Sequence, residues 1–208
     1  MQSPVPRSEG PELCLKFTDT VDWRTSNHSK DRLQSYGDLV KWSERRGLIE
    51  EKETESLLRL AENGAAACAD TLERARVLRE TIYTIFSCAA HGKRADRADI
   101  RILNGFLVRA MSKVEIQTTD TGYRLGWCAE EAADKMLYPV AKSAAELLTS
   151  EDLARVKECA NEEEGCGSLF LDASKSHSRR WCSMESCGNR AKLKTYYARH
   201  RRSTVKGT

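Results

Sequence analysis

Four of the chain's eight cysteines fall within 29 residues, in the order Cys159-x6-Cys166-x15-Cys182-x4-Cys187. Two close pairs joined by a longer segment suit a tetrahedral metal. Each pair comes from one turn, and the segment between brings the turns together. Thiolates bind zinc well, and four cysteine ligands leave no open position for a reactive water, so the expected Zn2+ is structural. Disulfides are rare in a reducing compartment, and unrelated buried thiols have no reason to fall in two pairs. A module this small buries little apolar surface and needs a staple, which a closed zinc site supplies as folding free energy. The apolar stretch "SLFLD" between the pairs reads as a strand.

Two histidines compete as ligands. Cys182-x4-Cys187-x12-His200 matches three ligands of a finger with two cysteines and two histidines, but no histidine follows His200. His200 shares a helical face with Leu193, Tyr196 and Tyr197, and that stripe is expected to dock on the finger. His177 lies in a serine-rich loop. The scattered Cys14, Cys68, Cys88 and Cys128 sit among apolar residues and read as small core hydrophobes.

Charge is spread unevenly. Residues 174–208 hold ten Lys/Arg and one acid, Glu185, a net +9; the whole chain carries +3, so the other 173 residues carry −6. Such asymmetry points to a polyanion-binding end. Asn189 reads as the cap of a helix through "RAKLKTYYARHRR". Arg190, Lys192, Lys194, Arg199, Arg201 and Arg202 project from it, with Arg179 and Arg180 just before the second cysteine pair. Guanidinium groups pair bidentately with phosphate or with guanine edges. These eight residues are the expected nucleic-acid contacts, and double-stranded DNA the expected partner.

The rest of the chain is mostly helical. "LCLKF" alternates and predicts a short strand over 13–17. "GDLVKWSERRGL" predicts a helix capped by Asp38 and ended at Gly47, and "EEKETESLLRLAENG" a second ending near Gly64. Leu72, Ala75, Leu78, Ile82, Ile85, Phe86 and Ala89 recur at spacings of three and four, as do Ile102, Leu103, Phe106, Leu107, Ala110, Met111 and Val114. These two stripes predict the core pair of helices. "KVEIQTTDTGYRLGW" switches to period two around a turn and predicts a β-hairpin. "AEEAADKMLYPVAKSAAELL" returns to helix, with Pro139 as a kink or break. Ser150 is expected to cap a last short helix, "EDLARVKEC". The fold class is α+β: a flexible leader over 1–11, a mostly helical domain with a small hairpin over 12–156, a small metal module over 157–203 and a tail over 204–208. No glycine-rich phosphate loop or nucleophile elbow occurs, so no catalytic residues are assigned and a non-enzyme is expected. No apolar run approaches the roughly 18 residues of a membrane span, and the start lacks a signal pattern, so a cytoplasmic protein is expected, nucleoid-associated if it binds DNA.

The residues also carry a resemblance. "WCSMESCGNRAK", with Cys187-Gly188-Asn189-Arg190, resembles the CGNR zinc-finger domain, and "LFLDASKSHSRRWCS" fits the segment before it. "LCLKFTDTVDWR" and "PVAKSAAELL" are similar to the ABATE domain that accompanies that finger. The resemblance implies a bacterial, stress-linked transcription regulator. It implies a treble-clef-like finger with Cys159, Cys166, Cys182 and Cys187 as ligands. The chain departs from the family at Asp19, where the opening motif has Asn, and at the first pair, where x4 is usual.

Three functions stand as readings. The first is a DNA-binding transcription regulator whose helical domain senses a small-molecule effector or dimerises. The second is an RNA-binding zinc module, since basic modules also bind RNA by shape. The third is a small-molecule enzyme with a structural zinc tail. A single finger has a small footprint, so a homodimer or a second contact is expected.

Overall fold

The computed structural model describes residues 10, 12–64, 66–128 and 132–205. Residues 1–9 and 11 of the leader and the last three residues of the tail lie outside them. Helix α1 (Leu13–Thr18) opens the chain, followed by a two-residue pair of strands, β1 (Val21–Asp22) and β2 (Lys30–Asp31). Helices α2 (Tyr36–Arg45), α3 (Glu51–Glu62), α4 (Ala66–Ala90) and α5 (Arg97–Met111) come next. The hairpin β3 (Val114–Thr119) and β4 (Gly122–Trp127) leads to α6 (Leu137–Leu148). Strands β5 (Val156–Glu158) and β6 (Leu169–Leu171) pair antiparallel, and α7 (Asn189–Val205) ends the described chain.

The expected strand over 13–17 is helix α1. Leu13, Cys14, Leu15 and Phe17 are all buried. The helix packs against α4, α6 and β6, and its one half-buried polar residue, Lys16, makes too narrow a polar face to reveal a helical period. Its first amides need partners inside the core. The Ser143 hydroxyl on α6 accepts from the Cys14 amide at 3.1 Å.

Helix α4 carries the expected stripe: Leu72, Ala75, Leu78, Ile82, Ile85 and Phe86 are buried, while Ala89 is only half-buried. Each large side chain on that face contributes about 1.5–3 kcal/mol of burial. On α5 the buried stripe is narrower than expected. Leu103 and Ala110 are buried and Phe106 packs against the core, but Ile102 and Met111 are exposed. The helix lies between α4 and α6 on one side and solvent on the other.

Caps differ from expectation at three helices. Ser35 caps α2, accepting from the Asp38 amide at 3.2 Å, while the Asp38 carboxylate accepts from the Ser35 amide at 2.8 Å. This reciprocal box satisfies two otherwise orphaned donors. Ser150 caps nothing: its hydroxyl donates to the Leu147 carbonyl, and a 3-10 turn over Glu151–Arg155 runs into β5 in place of the expected helix. Pro139 neither kinks nor breaks a helix, because α6 begins only at Leu137. In the first turn its missing N–H removes no hydrogen bond. Residues 129–131 of that segment lie outside the description.

Two acids fasten the core, Asp134 buried and Asp31 half-buried. Arg79 of α4, almost fully buried, forms a fork with both carboxylate oxygens of Asp31 at 2.7 Å each. Burial pushes the Asp31 acid up, but the Arg79 hydrogen bonds win and hold it below its usual range. Asp134 accepts from Arg74 and Tyr138 at 2.8 Å and from Arg109 at 2.5 Å, linking α4, α5 and α6.

Candidate metal centre

Strand β5 delivers Cys159, and β6 begins just past Cys166, so pairing these strands folds the first cysteine pair into a knuckle. The Cys159 amide donates to the Ser168 carbonyl at 2.9 Å and the Cys166 amide to the Asn161 carbonyl at 3.2 Å. The six intervening residues form a 3-10 turn over Glu162–Glu164, closed by Gly165 in the left-handed region. Gly165 also fits because a Cβ there would lie 2.4 Å from the Ser26 Cβ. The loop after β1 lies directly on the knuckle: the Arg24 amide donates to Cys166 and the Thr25 amide to Gly165, at 3.2 and 3.1 Å.

The second pair sits on a turn. Ser183 accepts from the Ser186 amide at 3.4 Å, and a π-helical turn over Met184–Gly188 continues into α7. Asn189 is therefore not the cap. It is the first residue of α7, and its side-chain amide donates to the Glu185 carbonyl at 3.1 Å. The two knuckles meet where the Ala160 amide donates to the Arg180 carbonyl at 2.8 Å.

The structure brings Cys159, Cys166, Cys182 and Cys187 together, with all four sulfurs within 4.8 Å of one another. Cys166 lies 3.7 Å from Cys182 and 3.5 Å from Cys187, and Cys182 lies 3.7 Å from Cys187. Four sulfurs at ~2.3 Å from a zinc ion in a tetrahedron lie ~3.8 Å apart. The separations far exceed the ~2.05 Å of a disulfide, and the cysteines are free thiols. Hydrogen bonds from Cys166 and then Cys182 pull the Cys159 thiol down, while the same contacts push the Cys182 thiol up. Four sulfurs this close suit a cation that takes them as thiolates. The set fits structural zinc, and neither His177 nor His200 belongs to it.

The supporting shell was not legible beforehand. Buried Asp172 follows β6. It accepts from Lys157 at 2.7 Å, from the Ser174 hydroxyl at 2.6 Å and from the Arg179 amide at 3.0 Å. The Lys157 ammonium, then Ser174, holds its carboxyl well below the usual range. Asp172 thereby shapes the loop that leads to Cys182. Phe170 and Trp181 pack against the thiols as a small apolar cluster of their own.

The expected nucleic-acid residues separate into groups. Arg179 turns inward: it donates to the Trp181 carbonyl at 2.9 Å and to the Cys182 carbonyl, with its guanidinium 4.6 Å from the Phe170 ring. Arg190 stacks on Trp23 of the helical domain at 4.4 Å. Trp23 itself holds a left-handed φ of 53°. Arg180 is exposed beside Trp181, Lys192 is exposed, and Lys194 pairs with Glu163 of the first knuckle. Arg199, Arg201 and Arg202 fall on the backbone of α7, but their side chains lie outside the description. The stripe expected to dock is exposed: Leu193 is 55%, Tyr196 55% and Tyr197 62% accessible. Tyr196 instead stacks on His200 at 3.9 Å. Among the described residues, α7 packs chiefly on the turn over Met184–Gly188 from which it starts.

A helical domain joined to a four-cysteine module with a basic terminal helix defines a zinc-finger protein of two parts. The comparisons agree on both. The chain belongs to the ABATE family, described as "Putative stress-induced transcription regulator", whose model matches residues 12–151; the CGNR zinc finger matches 155–200. No curated protein matches the chain. Among the described residues no helix is long and apolar enough to cross a membrane.

Proposed function

We propose that the protein is a DNA-binding transcription regulator in which Cys159, Cys166, Cys182 and Cys187 hold one zinc ion that roots a cationic helix. One observation carries this reading: Cys187 lies in the turn that runs without interruption into α7. A metal held there fixes the start of the helix, and with it the line of basic side chains. Four protein ligands complete a tetrahedron, which supports a structural and not a catalytic ion. In this reading Arg180, Lys192, Lys194, Arg199, Arg201 and Arg202 face phosphate. Arg179 and Arg190 hold the finger's form, because their guanidinium groups already rest on carbonyls or on Trp23. The protein then works in the cytoplasm at the nucleoid.

The test is filter binding of the zinc-loaded chain to genomic fragments across a salt series. Six phosphate contacts give a slope of log affinity against log salt near ~−5. Salt-independent binding, or none, refutes the reading. Preference for folded RNA over duplex in competition transfers the function to RNA.

Specific affinity needs a second contact beyond one finger, and we assign it to a second copy. The β3–β4 hairpin supports this, because Ile116 faces Leu125 across the strands with 74% and 68% accessibility and Tyr123 is 81% accessible. A single mass at all concentrations in sedimentation overturns the dimer.

A further inference from the structure

A concavity of about 520 Å³ opens between α1, α2 and the loop that joins β2 to α2. That volume is in the range of small-molecule sites. Lys16, Arg32, Lys41, Arg45 and Arg46 line it, with the nearly buried Trp42 as an aromatic wall. Lys41 and Arg45 lie one turn apart on α2, exposed, with no acidic partner among the described residues. Arg32 reaches the Asp19 carbonyl at 3.0 Å and pairs with Asp22.

Two acids also line the site, and they differ. The Asp38 carboxylate is occupied by the Gln34 and Ser35 amides and the Ser35 hydroxyl, at 3.1, 2.8 and 2.9 Å. Asp19 keeps one buried carboxylate oxygen, Oδ1, with no hydrogen-bond partner. A buried orphan acceptor calls for a donor. A bare anion would meet the cations but leave that oxygen without a partner, whereas an anion that brings an N–H or O–H group satisfies both.

We propose that this concavity binds a small organic anion carrying a hydrogen-bond donor, with Lys41 and Arg45 on the anionic group and Asp19 on the donor, and that its occupancy is felt at the zinc knuckle. The route is short. The Ser168 hydroxyl lies against the Asp19 carboxylate, and it also sits 3.4 Å from the Cys166 sulfur. A ligand that recruits Asp19 changes what Ser168 can offer to Cys166. The ligand site does not depend on what the finger binds, so its test and the nucleic-acid test fail separately.

The experiment is calorimetric titration of the zinc-loaded chain with phosphoserine, glutamate and acetate. The first two carry an ammonium donor and distinguish a phosphate from a carboxylate ligand; acetate has no donor. One-site binding of phosphoserine or glutamate is expected, at least tenfold tighter than acetate. The double variant Lys41→Glu, Arg45→Glu should weaken it at least tenfold without moving the unfolding midpoint, since both side chains are exposed. Absence of saturable binding by either probe, equal binding of acetate, or an unaffected double variant overturns the site. Displacement of the bound probe by duplex DNA reassigns the surface to nucleic acid and likewise overturns it. Amide resonances of Cys166 and Gly167 should shift on saturation in the parent and stay still in Ser168→Ala. Unmoved resonances in the parent refute the link to the knuckle.

Discussion

Gly165 and Gly64 share almost the same backbone, with φ of 67° and 68°, but not the same surroundings. A Cβ at Gly64 meets nothing within 4 Å. At Gly165 it would lie 2.4 Å from the Ser26 Cβ and 2.7 Å from the Ser26 backbone nitrogen. Gly64→Ala therefore costs only the left-handed backbone, about 1 kcal/mol. Gly165→Ala costs that and more. Backbone stands on the far side of the contact, so the knuckle must withdraw, at about 1–3 kcal/mol for overpacking. Withdrawal also strains the Thr25–Gly165 and Arg24–Cys166 hydrogen bonds, each worth about 1 kcal/mol. A total loss of about 4 kcal/mol is expected at Gly165, against about 1 at Gly64. Urea unfolding of the zinc-loaded variants at neutral pH measures both. Equal losses at the two positions would show that the β1–β2 loop does not press on the knuckle, and the docking of helical domain on finger would fall with it.

Further outcomes follow from single contacts. Glu163 pairs with Lys194; if Lys194 meets phosphate as proposed, Glu163→Gln should tighten duplex binding by a few-fold, and unchanged affinity in filter binding separates Lys194 from the interface. Burial, with the nearby Cys166 adding to it, pushes the Asp19 acid up to about 7 from 3.8. The folded chain then keeps a proton that the unfolded chain releases, so stability falls as pH climbs from about 4 to 7, by up to about 4 kcal/mol. Asp19→Asn should flatten that slope in urea midpoints taken at pH 5 and pH 8, and a slope equal to the parent's refutes the burial argument. Chelation of zinc should release α7 and the second knuckle while α1 to α6 stay folded, because the main apolar core contains none of the four ligand thiols. Loss of the whole helical circular-dichroism signal on chelation at 25 °C contradicts this.

The metal module was legible because ligand spacing is a local property: two pairs at x6 and x4 state their turns without reference to the rest of the chain. The α4 stripe and the β3–β4 hairpin were legible for a similar reason, since one face is buried or one turn is tight. Legibility failed where burial is nearly complete. In α1 apolar residues stand at 13, 14, 15 and 17, and alternation with Lys16 imitates a strand; only α4 and α6 on either side make it a helix. It failed again at the caps, where Ser35 and Asp38 are equally good candidates until the first turn is placed.

The sequence by itself determined that four thiols would share an ion, that a basic helix would follow them, and that the remainder would be helical with a hairpin. Tertiary structure alone decided which charges stay available. Arg190 is drawn onto Trp23 and Arg179 onto the carbonyls of its own knuckle, while the Leu193, Tyr196 and Tyr197 face is left in solvent. Spacing along a chain fixes which groups are near one another, but the partner of a long cationic or aromatic side chain comes from a distant segment, and only folding brings that segment within reach.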